Sequence, residues 1–223
     1  MRKYFKRLAA LVLIPLVKWY LRKERLYSYK EIDIFVSPGV FHPGFFYSTK
    51  FILKYLNNVE LSGRTVLELG CGSGLISIVA AKAGGLITAS DLSRTAIQNT
   101  KRNALRNEVI IETVHSDLFD NIHGRFDVII INPPYYPNDA TDEPMLAWNC
   151  GRNFEYFVKL FSQLSNHISA NSRVLMVLTK GCDRSSIFRI ASNAGFKFEL
   201  IAEKNVLFDE KDYLYEIKTS SSG

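Results

Sequence analysis

Asn132-Pro133-Pro134-Tyr135 follows directly on the apolar run that ends at Ile131. Two prolines cannot continue a buried strand, so a stiff loop begins there. Its residue types suit a planar NH2 group. Such a nitrogen, on an amide or a base, is a poor nucleophile because its lone pair is delocalised. It reacts only as it moves toward tetrahedral geometry. The Asn132 side-chain carbonyl and the Pro133 backbone carbonyl can each accept one of its two hydrogens, which favours that geometry selectively. Tyr135 offers a flat face to stack on an amide or base. Each proline restricts its predecessor, so Asn132 and Pro133 are both held out of the helical region. No strong general base is required, since the product nitrogen is acidic and loses its proton afterwards.

A second constellation lies upstream. Glu68-Leu69-Gly70-Cys71-Gly72-Ser73-Gly74 stands between an apolar strand and a helix. Glycines there let the backbone approach a ligand closely. A dinucleotide fingerprint starting at Gly70 needs glycine at position 75, which is Leu75; starting at Gly72 it needs one at 77, which is Ser77. That reading fails, and the P-loop lysine is lacking as well. Asp91 closes the next strand, where a carboxylate suits the two hydroxyls of a ribose. Asp117 follows the third strand, placed to accept from an adenine amino group. Together these residues describe a nucleoside site with no pyrophosphate to hold.

The elements that position these residues alternate. Strands are predicted over Lys30–Val36, Thr65–Leu69, Leu86–Ser90, Val109–Val114, Phe126–Asn132 and Arg173–Thr179, with two more over 196–203 and 213–218. Helices are predicted from Ser48 or Thr49 through Leu56, over Leu75–Ala83, Ser93–Arg106, Phe154–Ile168 and Arg184–Ala194. The fourth places Phe154, Phe157, Val158, Phe161 and Leu164 on one face. Alternation of this kind implies a parallel sheet covered on both faces. The last two strands have no helix between them, so they pair antiparallel at an edge. The expected fold is a doubly wound, Rossmann-like α/β sheet whose last strand is antiparallel, with ligands at the carboxyl ends of the strands.

A chain of 223 residues, 47% hydrophobic, suits one domain with a full core. The net charge of +6 tilts mildly toward a polyanionic partner. Cys71, Cys150 and Cys182 form no C-x-x-C pair, so neither zinc nor a disulfide framework is expected, and a reducing cytoplasm fits. Basic clusters flank the apolar run Leu8–Val17, which at ten residues is too short to span a bilayer. Trp19 and Tyr20 between apolar and basic faces leave room for membrane-surface contact. An accessory helix or a docking surface built on Arg2, Lys3, Lys6, Arg7, Lys18, Arg22, Lys23 and Arg25 is the alternative. The chain thus divides into a helical N-terminal extension over 1–37, a main domain over 38–218 and a frayed tail over 219–223. His42, Phe45, Phe46 and Tyr47 precede the first helix, where they either line an acceptor pocket or pack in the core. His115, His123 and His167 are read as structural or exposed.

Residues 64–135 resemble the class I S-adenosylmethionine-dependent methyltransferases, whose first motif is similar to the segment from Val66 to Gly84. The resemblance implies a seven-stranded sheet with the last strand antiparallel. It places Gly70, Gly72 and Gly74 beside the methionine part of S-adenosylmethionine, Asp91 at the ribose, and Asp117 with Leu118 at the adenine. Glu68 then shapes the loop at the methionine end, Asn132 lies beside the sulfonium methyl, and S-adenosylhomocysteine is the product. "INPPYYP" resembles the HemK-like glutamine methyltransferases that act on peptide release factors, and is close to methyltransferases of adenine N6. "EPMLAWNCG" (143–151) is similar to a HemK-like segment, with Trp148 and Cys150 in place of its Leu and Gly. "SPGVFHPGFFYST" (37–49) resembles the broader small-domain methyltransferases, which include those acting on guanine N2 of ribosomal RNA. The expected function is N-methyl transfer to a planar NH2 in a macromolecule, either a glutamine of a release-factor-like protein or a base of rRNA or tRNA. A non-catalytic cofactor- or RNA-binding module and a small-molecule methyltransferase are the alternatives.

Overall fold

The computed structural model describes residues 16–17, 19–142, 145, 147–205 and 211–220. Residues 8–15 of the apolar run, most of the N-terminal basic cluster, the tail from Ser221, and Glu143, Pro144 and Leu146 of the HemK-like segment lie outside the described residues.

The apolar runs become strands because both of their faces are covered. In β3 (Thr65–Leu69) and β6 (Val128–Ile131), Leu67, Leu69, Ile129 and Ile131 face one core, while Val66, Val128 and Ile130 face the other. This two-sided burial is what an uninterrupted Val/Ile run requires. Helices α1 (Tyr47–Leu56) and α2 (Leu75–Lys82) supply side chains to the second core, and α4 (Glu155–Leu164) and α5 (Arg184–Asn193) to the first. With β4 (Leu86–Asp91), β5 (Ile111–His115), β7 (Arg173–Thr179), β8 (Phe196–Asn205) and β9 (Lys211–Thr219), the sheet has seven strands. Their order is β5-β4-β3-β6-β7-β9-β8, with β9 antiparallel to both of its neighbours. The expected fold class is therefore found, with β8 at the edge and β9 inside it.

Strand order reverses at β3, since β4 and β6 lie on its two sides. The loops after β3, β4 and β6 meet above this point, which is where a doubly wound sheet opens a crevice.

Residues 25–36 form a hairpin of β1 (Arg25–Tyr29) and β2 (Ile32–Val36), apart from the main sheet. The extension expected to be helical over 1–37 therefore ends in strands. The hairpin is held by three asparagines of α3 (Arg94–Arg106) and its C-cap, spaced four apart on one face. Asn103 accepts from Phe35 N at 2.8 Å and donates to Phe35 O at 2.7 Å, in the way a neighbouring strand would. Asn99 accepts from Ser37 N at 2.9 Å, and Asn107 donates to Asp33 O at 2.9 Å. This polar ladder fixes where the loop of residues 37–46 begins.

Two expectations for helix faces and ends fail locally. The α4 helix stops at Leu164 and tightens into a 3-10 turn over Ser165–His167, so Ile168 is not helical. Val158, expected on the apolar face, is 52% exposed, while Phe157, Phe161 and Leu164 are buried. Strand β6 ends at Ile131, one residue before Asn132, because Pro133 and Pro134 offer no N–H to a neighbour.

Candidate active site

The β3–α2 loop is shaped by its own strand neighbours. Gly70 N and Cys71 N donate to Ser90 O at 2.8 and 2.9 Å, and Gly72 N donates to Asp91 Oδ2 at 2.9 Å. Gly70, Gly72 and Gly74 have φ of +76°, +53° and +80°, a region in which a side chain is strained. Space beside the Gly70 Cα is open within 4 Å, so a ligand can lie against its backbone. At Gly74 the cause is different. An added Cβ would stand 2.8 Å from Thr100 Cγ2, so this glycine allows α2 to pack closely on α3.

A cavity of about 500 Å³ opens over this loop. Glu68, Gly70, Gly72, Asp91, Asp117, Leu118, Asn132, Pro133 and Tyr135 all line it, and Gly74 does not. Asp91 is fixed by accepting from Gly72 N and, at 2.8 Å, from Ser93 N. Two backbone donors thus fix how the carboxylate is aimed into the cavity. Asp117, expected as an acceptor for an adenine amine, also carries an ion pair. Lys159 Nζ reaches Asp117 Oδ2 at 2.6 Å and Asp120 Oδ2 at 2.7 Å. Leu118 is buried at φ +52°, held where the Ser116 hydroxyl donates to its carbonyl.

Asn132 and Pro133 sit at the cavity wall where β6 ends. Their loop is braced from outside by a second segment. Tyr135 N and Tyr136 N both donate to Trp148 O, at 3.1 and 2.9 Å, and Cys150 N donates to Tyr136 O at 2.9 Å. Burial raises the pKa of the Tyr135 hydroxyl well above the ordinary phenol range. It therefore stays protonated at neutral pH and presents a ring rather than a base.

Four lining residues are marked as site residues by no motif in the sequence. Tyr156 and Lys159 come from α4, in the turns that follow Glu155 and near Asp117. The Tyr156 hydroxyl is held protonated by burial first, and then by the charges of Asp91 and Asp117. Phe41 and Trp148 complete the wall with Phe46. Of the four aromatic residues considered before α1, only Phe46 reaches the cavity. His42 packs instead against Tyr20, Tyr27 and Phe45, and accepts from Gly44 N at 3.1 Å. Burial holds its pKa below the usual imidazole value. His115 Nε2 meets Leu92 O at 2.8 Å, and His167 stacks on Phe119 at 4.3 Å. Among the described residues no His/Cys/Asp/Glu group is arranged to hold a metal, and no helix is long and apolar enough to cross a membrane.

Glu68 is 4% exposed, takes the Ser77 hydroxyl as its partner, and has its pKa pushed up to about 8 by burial. A raised acid pKa means that the folded state binds the proton more tightly than the unfolded chain. Stability from this group is full below about pH 4.5 and is lost as pH rises to about 8. At pH 7 the loss is about 3 kcal/mol. Glu68→Gln should therefore melt higher than wild type at pH 8, and the gain should vanish near pH 4. Thermal melts of both proteins across that range check it; equal differences at the two pH values would refute the buried neutral acid.

The chain matches known proteins in the same region. The family model described as the methyltransferase small domain covers residues 31–150. A candidate protein N5-glutamine methyltransferase of Methanocaldococcus jannaschii is 33% identical over 186 residues, 80% of this chain and 92% of that one. Among solved structures, the E. cuniculi Mtq2–Trm112 complex, responsible for methylation of the eRF1 translation termination factor, has a TM-score of 0.62 at 20% identity, covering 82% of this chain and 99% of that one. The T. thermophilus 16S rRNA N2 G1207 methyltransferase in complex with AdoMet and guanosine has a TM-score of 0.62 at 18% identity, covering 87% of this chain and 50% of that one. These two structures share the fold. With more than half of its residues matched by the family model, and a relative aligned over nearly its whole length, the chain belongs to the methyltransferase small domain family and is an S-adenosylmethionine-dependent methyltransferase.

Proposed function

We propose that the protein methylates the side-chain amide nitrogen of a glutamine in another protein. The observation that carries this choice is the charge of the cavity. Beside the neutral acid Glu68, its described lining holds four carboxylates, Asp91, Asp117, Asp139 and Glu155, and a single cationic side chain, Lys159. That lysine is already paired with Asp117 and Asp120. A nucleic-acid backbone needs cations to replace its counterions, and the described lining supplies none that is unpaired. An uncharged amide on an aliphatic stem meets no such penalty. The similarity to a candidate glutamine methyltransferase points the same way.

S-adenosylmethionine, when bound, supplies an electrophilic methyl group on its sulfonium. Gly70 and Gly72 are assigned to its methionine part, where their backbone admits close approach. Asp91 is assigned to the ribose hydroxyls. Asp117, Leu118 and Tyr156 are assigned to the adenine side, with Lys159 holding Asp117 in place. On the acceptor side, the Asn132 side-chain oxygen and the Pro133 carbonyl accept the two amide hydrogens. The lone pair is thereby turned toward the methyl for in-line displacement. Tyr135 holds the plane of the amide. One hydrogen leaves to solvent as a proton after transfer, so the residues hold and aim rather than abstract.

Cofactor labelled on its methyl, incubated with undermethylated cell extract, tests the reading. Label that is released by protease and survives RNase is expected; exhaustive enzymatic digestion of the labelled protein should yield N5-methylglutamine, and acid hydrolysis should release the label as methylamine. Label removed by RNase alone would overturn it.

A further inference from the structure

The Trp148 side chain is unlike its surroundings. Its backbone carbonyl braces the Asn132–Tyr136 loop, yet its ring turns away to the loop of residues 37–46. The ring packs on Phe46 at 4.6 Å and on Phe41 at 5.3 Å between centroids, and those two pack on each other at 4.7 Å. All three residues line the cavity. Phe41 also comes within 3.7 Å, through its Cβ, of the position a Cβ would take on Gly72. The aromatic cluster thus runs from the cofactor loop, across the cavity wall, to the acceptor loop. A hydrogen-bonded backbone already fixes the acceptor loop, so the ring is not needed to hold that loop in place.

We infer that Trp148, with Phe41 and Phe46, forms the apolar wall that positions the aliphatic stem of the acceptor side chain against Asn132 and Pro133. The inference rests on the methyl-transfer reading above. A glutamine presents two methylenes behind its amide. A flat apolar wall removes them from water and limits the angles at which the amide arrives. Asn132 then aims the nitrogen, while Trp148 fixes the direction from which it comes. Trp148 is in this sense a positioning residue and determines specificity. An acceptor lacking an apolar stem gains little from it.

The test uses a nonapeptide pool with glutamine fixed at the centre, the same pool with asparagine there, which keeps the amide and shortens the stem by one methylene, and labelled cofactor. Trp148→Ala should raise KM for the glutamine pool about tenfold or more while kcat falls less than about threefold, the pattern of lost ground-state binding. Affinity for S-adenosylhomocysteine should be unchanged by calorimetry. Trp148→Phe should restore most of the KM. The chain has two tryptophans, so Trp19→Phe leaves Trp148 as the sole indole. Its emission should then shift on saturation with the glutamine pool and much less with the asparagine pool. An unchanged KM in Trp148→Ala, or an emission that is indifferent to the glutamine pool, overturns the inference. If wild type labels only RNA, the glutamine reading fails. RNA presents no such stem, so that outcome overturns the role inferred for Trp148 as well, whereas label in protein with an unchanged KM in Trp148→Ala overturns the Trp148 role alone.

Discussion

Asn132→Ala is expected to lower methyl transfer by about 100- to 1,000-fold, the scale seen when one oriented hydrogen-bonding group of a transition state is removed. Affinity for the cofactor should change little. The side chain lies in the cavity lining at the end of β6, and makes no hydrogen bond with another described residue. It is thus not structural cement, and its loss should leave the melting temperature nearly unchanged. Asn132→Asp keeps an acceptor oxygen and should retain more activity than alanine. Single-turnover transfer with labelled cofactor, alongside calorimetry with S-adenosylhomocysteine, measures both halves. Wild-type transfer in Asn132→Ala would remove the proposed role of the loop, whatever the acceptor proves to be.

The second large effect concerns Asp91. Its carboxylate joins the glycine loop to the start of α3 by accepting from Gly72 N and Ser93 N. The proposed role adds two ribose hydroxyls to the same two oxygens. A hydrogen bond to a charged group contributes about 1.5–3 kcal/mol. Losing both should weaken cofactor binding by at least about 100-fold. Asp91→Ala also frees the loop backbone, so the enthalpy of binding should fall with the affinity. If calorimetry shows an affinity within a few-fold of wild type, the ribose lies elsewhere. Asp117→Asn provides the contrast. Asp117 is already engaged by Lys159, so its replacement should cost much less than that of Asp91.

Much of this was legible along the chain because it is local. The Gly70–Gly74 turn, Asp91 and the two prolines after Asn132 each sit where a strand must stop, and a stop shows in residue type. The central strands β3, β6 and β7 were legible because both of their faces are buried, which writes continuous apolar runs, while β8 and β9 show instead as alternation. What stayed hidden is tertiary. Phe41, Trp148, Tyr156 and Lys159 reach the cavity from three separate segments, and nothing in their spacing says so. One faint signal existed: Glu155, Tyr156 and Lys159 fall on neighbouring positions in the first half of a helix whose other face is apolar. For His42 the sequence allows either an acceptor pocket or core packing, and the structure selects the second: it is 5% exposed and packed among rings. The asparagines at 99, 103 and 107 were also readable at four-residue spacing, but only a partner strand gives that spacing meaning.

The position of β9 has a consequence for how the molecule is made. The strand lies between β7 and β8, pairing Met176 with Tyr215 on one side and Phe198 with Ile217 on the other. Glu216 also carries the Arg173 guanidinium, which in turn holds Tyr55 of α1. During synthesis the edge of β7 therefore waits, apolar and unpaired, while β8 emerges with no neighbour to join. Only when residues 211–219 leave the ribosome can the sheet close, and it closes from within. The strands whose ends line the cavity, β3, β4, β5 and β6, are thus all synthesised before the strand that locks the far half of the sheet.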